Sequence, residues 1–227
     1  MHETGRQPMS KPSRKSVIGA LLEHYGRTYS EELKLGVERN TPSGLFQLLC
    51  FSMLASTRIS HDLAARAMTA LRWHGWRTPQ KMVDATWRQR TDVLNHAGYA
   101  RYDESTSRYL ADSAQHLLDA YGGDLRRLRA ASDRDVKEER RRLQEFKGIG
   151  ETGADIFQRE AQVAWPEMGP FLDQKAQQAA ARLGLPKDPR KLIAAAPRKK
   201  DGPRLVAALV RCSLDKGFED ITSAAAQ

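Results

Sequence analysis

The sequence predicts an all-α protein, and two observations carry that prediction. Apolar residues recur at helical spacing along nearly the whole chain, whereas the alternating, β-branched runs expected of strands are hard to find. The stretch from Leu45 to Leu54 is apolar at eight of its ten positions and has no polar face, which is typical of a helix that is buried on every side. We therefore expect a helical core built around this central segment.

The other helices follow from apolar periodicity and from start and stop signals. An apolar cluster at 17–22 marks a first helix that ends near Gly26, and a polar stretch then leads to the helix-start signal Thr41-Pro42-Ser43. Further helices are predicted at about 60–73, 78–85, 87–97, a long segment ending at Gly122-Gly123, 125–130, 133–146, 171–183, 192–196 and 205–214.

The charge balance points to a polyanionic partner. The 227 residues include 37 Lys and Arg against 28 Asp and Glu, a formal net charge of +9. Nucleic acid is the leading candidate, and an anionic membrane surface is the second. No stretch approaches the roughly twenty apolar residues that span a bilayer, and residues 1–15 form a basic tail without a signal-peptide core. We expect a soluble cytoplasmic protein, associated with the nucleoid, with a disordered tail at 1–15 and no membrane partner.

The two cysteines, Cys50 and Cys212, are too few for a disulfide framework, a four-thiolate zinc site or a cysteine-ligated iron–sulfur cluster. Cys50 lies inside an apolar run and Cys212 follows another, as small buried hydrophobic residues do. This usage favours a reducing, intracellular setting.

One segment carries the most information: Phe146-Lys147-Gly148-Ile149-Gly150-Glu151-Thr152-Gly153-Ala154 places two glycines around one apolar residue between two helical patterns. Glycine permits a positive φ and a close approach of another backbone, and the following helix offers unpaired N–H groups to a phosphate. Such main-chain contacts hold DNA without reading its sequence. The alternative is an ordinary corner between two helices with a glycine after the helix end.

About twenty residues later, an apolar loop that contains Gly and Pro delivers an acidic residue to the start of a new helix. The loop runs from Trp165 to Leu172, and Asp173 follows it. Taken alone, Asp173 is explained by a helix N-cap.

Together, the Gly148-Ile149-Gly150 turn, the Trp165-Pro166 step and the loop Gly169-Pro170-Phe171-Leu172-Asp173 resemble the helix-hairpin-helix, Gly/Pro-rich loop and aspartate of the endonuclease III superfamily of DNA glycosylases. The similarity extends upstream, where Thr41-Pro42-Ser43, the apolar helix and Ala55-Ser56-Thr57 are similar to the superfamily's barrel core helix and a DNA-facing loop. The resemblance covers residues 43–185.

The resemblance implies two all-α domains. A six-helix barrel with the helix-hairpin-helix would occupy 43–165, and a second helical domain would be built from both chain ends, 16–42 and 166–227. The implied partner is double-stranded DNA with a damaged base, bound across the groove between the domains, and the base would be flipped out of the stack. We expect a monomer, as is typical of the family.

Two residues stand in loops that are similar to the superfamily's duplex-inserting loops. Tyr99, after Gly98, becomes a candidate to fill the gap that a flipped base leaves, because an aromatic ring can stack there; the alternative is a core tyrosine. Ala55 stands where relatives often carry a polar side chain, so the preference for the opposite base stays open.

The resemblance gives Asp173 the role of the catalytic carboxylate. Positive charge builds on the sugar as the glycosidic bond breaks, and a carboxylate stabilises it or draws a proton from the attacking water. Members that also cleave the strand carry a lysine at the position of Thr152, which cannot form a Schiff base. We expect a monofunctional hydrolase, unless Lys147 or Lys175 reaches the sugar instead.

The remaining implied contacts lie around the hairpin. The DNA-binding set comprises Gly148, Ile149, Gly150, Thr152, Gly153, Tyr99, Ala55, Lys147 and Lys175. The family's four-cysteine iron–sulfur motif is missing, so the basic residues at 190–200 either contact DNA in its place or form a solvated face. No cofactor is implied apart from a monovalent cation at the hairpin carbonyls, and no other metal.

Alkylated purines are the preferred substrates because they carry positive charge and leave easily, so that one carboxylate suffices. Deaminated or mismatched pyrimidines, oxidised bases and adenine opposite an oxidised guanine stay open. Other functions that stay open are a glycosylase/lyase with a displaced lysine, a non-catalytic DNA-binding protein and an unrelated helical regulator. Trp73, Trp76, Trp87 and Trp165 are candidates to stack on a flipped base, but at helical spacing most of them are expected to be core residues. Residues 137–142 are expected to form a solvated helix face.

Overall fold

The computed structural model describes residues 12–227, and every regular element in that range is helical. The α-helices are α1 Arg14–Tyr25, α2 Tyr29–Glu32, α3 Pro42–Ala55, α4 His61–Trp73, α5 Pro79–Asp84, α6 Trp87–His96, α7 Asp103–Tyr121, α8 Leu125–Ala131, α9 Val136–Leu143, α10 Glu151–Ala161, α11 Gln174–Arg182, α12 Pro189–Ala194, α13 Asp201–Leu214 and α14 Phe218–Ala224. Two 3₁₀ helices, Val37–Arg39 and Pro166–Met168, lie between them. The predicted all-α class is confirmed.

The predicted tail at 1–15 lies largely outside the described residues, which begin at Pro12. Its last two residues are helical, because Ser13 caps α1 by accepting a hydrogen bond from the Ser16 backbone N–H at 3.1 Å. The prediction of a disordered tail is therefore wrong for Arg14 and Lys15.

The described chain forms two compact units. The larger unit is Thr28–Phe171, and the smaller combines the residues up to Arg27 with Leu172–Gln227. The sequence placed residues 28–42 in the terminal domain, but Tyr29, Leu35 and Val37 are buried in the core of the larger unit. Between residues 28 and 40 the elements are short and charged residues interrupt the apolar ones, so apolar periodicity does not predict that this segment is buried.

The core of the larger unit is built on α3. Thr41 caps this helix by accepting the Gly44 N–H at 3.1 Å, and Pro42 fills the first position, where no N–H is needed. Every residue from Leu45 to Leu54 is buried, as the sequence predicted, and α3 packs against α4 and α10. Its C-terminal end positions the candidate site described below.

The smaller unit packs α1 and α11 against α13. Its core includes Ile18, Leu21 and Leu209. The sequence ended the last helix at Leu214, whereas α14 follows it and buries Phe218 and Ile221. Within residues 12–227, no helix combines the length and the apolarity needed to cross a bilayer.

Candidate nucleic-acid interface

The predicted hairpin joins α9 to α10 through residues 144–150. Phe146 and Ile149 anchor it in the core, and the Ile149 N–H donates to the Phe146 carbonyl at 3.0 Å. Gly148 has φ +83°, the left-handed region that glycine adopts without a steric penalty. The turn therefore requires a glycine between two buried anchors, as the sequence pattern indicated.

Gly148 also allows a close approach between the hairpin and two helices. A Cβ at this position would lie 3.0 Å from Cδ2 of Tyr109 on α7 and 3.1 Å from Cγ of Met53 on α3. The Ser113 hydroxyl, on α7, donates to the Lys147 carbonyl at 2.9 Å. The hairpin is thus fixed against the C-terminal half of α3 and the middle of α7.

The start of α10 offers backbone donors to solvent. Gly150 provides no side-chain cap, and nothing lies within 4 Å of where its Cβ would be. The first N–H groups of a helix have no partner inside it, and they carry the positive end of the helix dipole. Lys147, Gly150 and Thr152 are exposed around these groups. This geometry can accept a phosphate oxygen.

Glu151 is the one carboxylate at the start of α10. The Arg140 guanidinium contacts it and lowers its pKa, and Gln144 donates to the same carboxylate at 2.7 Å. Arg140 also contacts Asp155 at 2.7 Å. The negative charge beside the hairpin is therefore countered by a guanidinium.

Gly153 faces the interior. A Cβ there would lie 3.3 Å from Cδ1 of Ile149 and 3.7 Å from the Ser52 carbonyl. This glycine allows α10 to pack close to α3. Its contact with DNA stays a prediction, and the buried Ile149 serves the site as an anchor of the turn.

Three loops meet at the C-terminal end of α3. They are the hairpin (144–150), the α3–α4 loop (56–60) and the α6–α7 loop (97–102), and we call them together the three-loop face. The Tyr99 hydroxyl ties the second and third loops together, because it lies 2.9 Å from Oγ1 of Thr57 and donates to the Leu54 carbonyl at 3.3 Å.

Tyr99 is not available to DNA. Its side chain is 1% exposed and sits in the core of the larger unit. The prediction of Tyr99 as a wedge is therefore wrong, and the core alternative is correct. The hydrogen bonds of its hydroxyl to Thr57 and Leu54 hold the side chain in the core. Ala55, the last residue of α3, is half-buried and packs against the same core.

The three-loop face carries three exposed cations: Arg58, Arg101 and Lys147. None of them forms an ion pair within the described part of the chain, although the Arg101 guanidinium lies 5.3 Å from the Tyr102 ring centre. Sequence reasoning named only Lys147. Arg58 directly follows the segment Ala55-Ser56-Thr57, and Arg101 lies two residues after Tyr99, so their positions beside the predicted duplex-facing residues were the signal.

Asp173 begins α11 in the smaller unit. It is 7% exposed, and its Oδ1 accepts the Ala176 N–H at 2.8 Å, so the N-cap interpretation is correct. Phe171, two residues before Asp173, is hydrogen-bonded to the Gln162 side chain. Its N–H donates to Oε1 at 2.8 Å, and its carbonyl accepts from Nε2 at 3.2 Å. Lys175, on the first turn of α11, is exposed.

The tryptophans are less buried than the expectation that most of them are core residues. Trp165 is fully buried, and its indole N–H donates to the Asn40 side chain at 2.9 Å. Trp73 is 87% exposed and Trp87 is 41% exposed. Neither lies on the three-loop face.

A pair of neighbouring carboxyl groups, one of them buried, lies beside the hairpin helices. Glu139, on α9, is fully buried, and burial together with the neighbouring Glu167 raises its pKa to about 7. Glu167 itself is paired with Arg129, whose Nη2 lies 2.7 Å from Oε2. The expectation of a solvated face for residues 137–142 is wrong at Glu139, which points inward.

Within residues 12–227, no group of three or more His, Cys, Asp or Glu side chains is arranged to hold a metal ion. The hairpin carbonyls of Phe146, Lys147 and Gly150 each already accept one hydrogen bond, from Ile149, Ser113 and Ala154 respectively. A carbonyl oxygen has a second lone pair, so these hydrogen bonds do not use up the acceptors, and the monovalent cation stays a prediction.

No protein-family model and no curated protein matches this chain. Among solved structures, it is similar to one described as a trapped endonuclease III–DNA covalent intermediate in an estranged-adenine complex. The two share 15% identity with a TM-score of 0.48, over 86% of this chain and 82% of that chain. A likeness of this size assigns neither a substrate nor a reaction to this chain.

Proposed function

We propose that this chain is a DNA-repair glycosylase of the helix-hairpin-helix class. It binds duplex DNA through the three-loop face and hydrolyses the N-glycosidic bond of a damaged base, with Asp173 as the catalytic carboxylate. The observation that carries the proposal is the hairpin, in which Gly148 adopts a left-handed conformation and the uncapped start of α10 is open to solvent.

The cations of the three-loop face support DNA binding independently of the hairpin. Arg58, Arg101 and Lys147 are exposed and lack carboxylate partners among the described residues. Cations that neutralise phosphates release counterions, which makes binding favourable and dependent on salt. Contacts of this type position a duplex without reading its sequence, as a repair enzyme that searches for lesions requires.

The proposed chemistry needs one carboxylate. As the bond between base and sugar breaks, the sugar acquires positive charge, and the Asp173 carboxylate stabilises it or accepts a proton from water. Alkylated purines are the preferred substrates because their positive charge already weakens the bond. This preference and the monofunctional mechanism rest on the chemistry of Asp173 and Thr152.

The absence of a lysine at position 152 favours hydrolysis over strand cleavage. Thr152 is exposed on the first turn of α10, and Lys147 precedes the hairpin glycines by one residue. A displaced-lysine lyase therefore remains a second candidate. Borohydride trapping distinguishes the two, since only a lyase forms a reducible Schiff base with the sugar.

A non-catalytic DNA-binding protein is the third candidate, because capping α11 is by itself a sufficient reason for an aspartate at position 173. The test is a panel of duplexes, each carrying one alkylated purine, uracil, thymine mismatch or oxidised base, incubated with the protein and split into samples with and without hot alkali. Cleavage after alkali alone supports the proposal. Duplex binding without any base release supports the non-catalytic candidate.

A further inference from the structure

A cavity of about 600 Å³ with a mixed polar and apolar lining lies at the opposite end of α3 from the three-loop face. Its lining includes Ser43 and Gln47 at the start of α3 and the cations Lys34, Arg72 and Arg77. Ser43 precedes Met53, the residue under the hairpin, by ten positions, which corresponds to roughly 15 Å along a helix. The cavity is therefore separate from the proposed DNA contact at the hairpin.

Arg72 enters this cavity from α4 without an anionic partner. Its guanidinium donates to Oε1 of Gln47 at 2.7 Å, to the Lys34 carbonyl at 3.0 Å and to the Leu33 carbonyl. All three acceptors are neutral, so they satisfy hydrogen bonds but do not compensate the charge. No carboxylate forms an ion pair with Arg72 within the described residues.

Arg77 brings a second positive charge to the same place. Its Nε donates to the Arg72 carbonyl at 3.2 Å, and its own carbonyl accepts the Ser43 hydroxyl at 2.8 Å. Burial and the neighbouring Arg77 lower the pKa of Arg72. The two guanidiniums repel each other, and a bound anion would remove that repulsion.

The carboxylates that line the cavity are already engaged. Glu38 pairs with Arg39 at 3.6 Å, and Glu31 accepts the Thr28 N–H at 3.1 Å in the capping box of α2. Apart from the Glu38–Arg39 pair, the charged side chains of the lining are three cations and one carboxylate, namely Lys34, Arg72, Arg77 and Glu31. The net charge of the lining is therefore positive. Arg72 is half-buried within this space, whereas Lys34 and Arg77 are exposed at its edge.

We propose that this cavity is a second anion site and binds a phosphate group through Arg77 and the remaining donors of Arg72. Guanidiniums donate in a planar fork that suits phosphate oxygens, and Arg72 uses three of its five N–H donors on neutral acceptors. The phosphate belongs either to a nucleic-acid backbone or to a small phosphate-bearing ligand. The inference uses residues of the larger unit alone and does not depend on Asp173.

The test is a calorimetric titration of the full chain with inorganic pyrophosphate at low salt. The informative variant is Arg77→Gln, because Arg77 is exposed and its side chain lies outside the buried core of the larger unit. The matched control is Arg88→Gln, which removes an exposed cation of α6 outside the cavity. We expect wild type and Arg88→Gln to bind alike and Arg77→Gln to bind about tenfold more weakly, as expected for loss of a charged hydrogen-bond donor.

Binding of undamaged duplex DNA to the same variants distinguishes a nucleic-acid phosphate from a small phosphate-bearing ligand. If Arg77→Gln also reduces the salt dependence of duplex binding by about one counterion, the ligand is a nucleic-acid phosphate. If duplex binding is unchanged while pyrophosphate binding falls, the ligand is small. Absence of pyrophosphate binding to wild type, or equal binding to Arg77→Gln, overturns the proposal. Neither result bears on base excision, which is measured separately on damaged duplexes.

Discussion

Gly148 lies against the side chain of Tyr109, because a Cβ on the glycine would be 3.0 Å from Cδ2 of the tyrosine. The same glycine has φ +83°. Two independent constraints, one of packing and one of backbone conformation, thus apply to a single residue of the hairpin.

Gly148→Ala is therefore expected to destabilise the protein by roughly 1–3 kcal/mol, because alanine is strained at this φ and its methyl group meets Tyr109 and Met53. The matched control is Gly150→Ala, since position 150 has φ −97° and open space around it. Chemical denaturation of both variants measures the difference. Equal free energies of unfolding for the two would contradict the hairpin geometry.

Removing single cations from the three-loop face is expected to weaken DNA binding uniformly across sequences. Arg58→Gln, Arg101→Gln and Lys147→Gln should each reduce the slope of log affinity against log salt by about one, because each removes one phosphate contact. Fluorescence anisotropy with undamaged duplexes at several salt concentrations provides the measurement. Arg88→Gln, outside this face, should leave the slope unchanged, and a slope change no larger than that control would refute the assignment.

Tyr99→Phe tests the core role of this tyrosine. The substitution removes the hydroxyl that contacts Thr57 and Leu54 and should cost about 1 kcal/mol of stability. DNA affinity should not change, because the ring is buried. Unchanged stability combined with weaker duplex binding would instead place the hydroxyl at the DNA.

The stability of the larger unit should depend on pH through Glu139. Its pKa of about 7 in the folded protein lies above the ordinary value of 4.5, because burial and Glu167 disfavour the charged form. The folded state thus binds this proton more tightly, so the stabilisation is complete below about pH 4.5 and is lost as the pH rises through 7.

Glu139→Gln, which cannot ionise, should flatten this dependence, by on the order of 1–3 kcal/mol between those pH values. The exposed Glu219→Gln serves as the control. Denaturant titrations at several pH values give the free energies of unfolding. A pH profile of Glu139→Gln that matches wild type would show that the carboxyl is not the titrating group.

The sequence was most informative where the determinants are local. The hairpin follows from two glycines beside buried anchors, and the central helix follows from ten consecutive residues without a polar face. Both patterns specify structure through contacts between residues that are close in sequence. Gly148 has the positive φ that the turn requires, and Ile149 and the residues Leu45–Leu54 are buried as predicted.

The sequence was misleading where burial depends on distant contacts. Tyr99 is buried because its hydroxyl reaches Thr57, forty-two positions away along the chain. Glu139 lies in a run of charged residues that resembles a solvated face, and only its packing beside Glu167 reveals that it points inward. The cavity with Arg72 and Arg77 is likewise lined by segments that are far apart in the sequence, and apolar periodicity does not predict that such segments meet.

Asp173 is proposed to do more than cap α11, and a pair of capping aspartates in the smaller unit tests this role. Asp173→Asn and Asp188→Asn both keep a good N-cap residue, at α11 and α12 respectively, and both remove one charge. The measurement is the single-turnover rate at which a duplex with one alkylated purine becomes sensitive to hot alkali. We predict a wild-type rate for Asp188→Asn and a loss of about a hundredfold or more for Asp173→Asn. Equal rates for the two variants would contradict a catalytic role for Asp173.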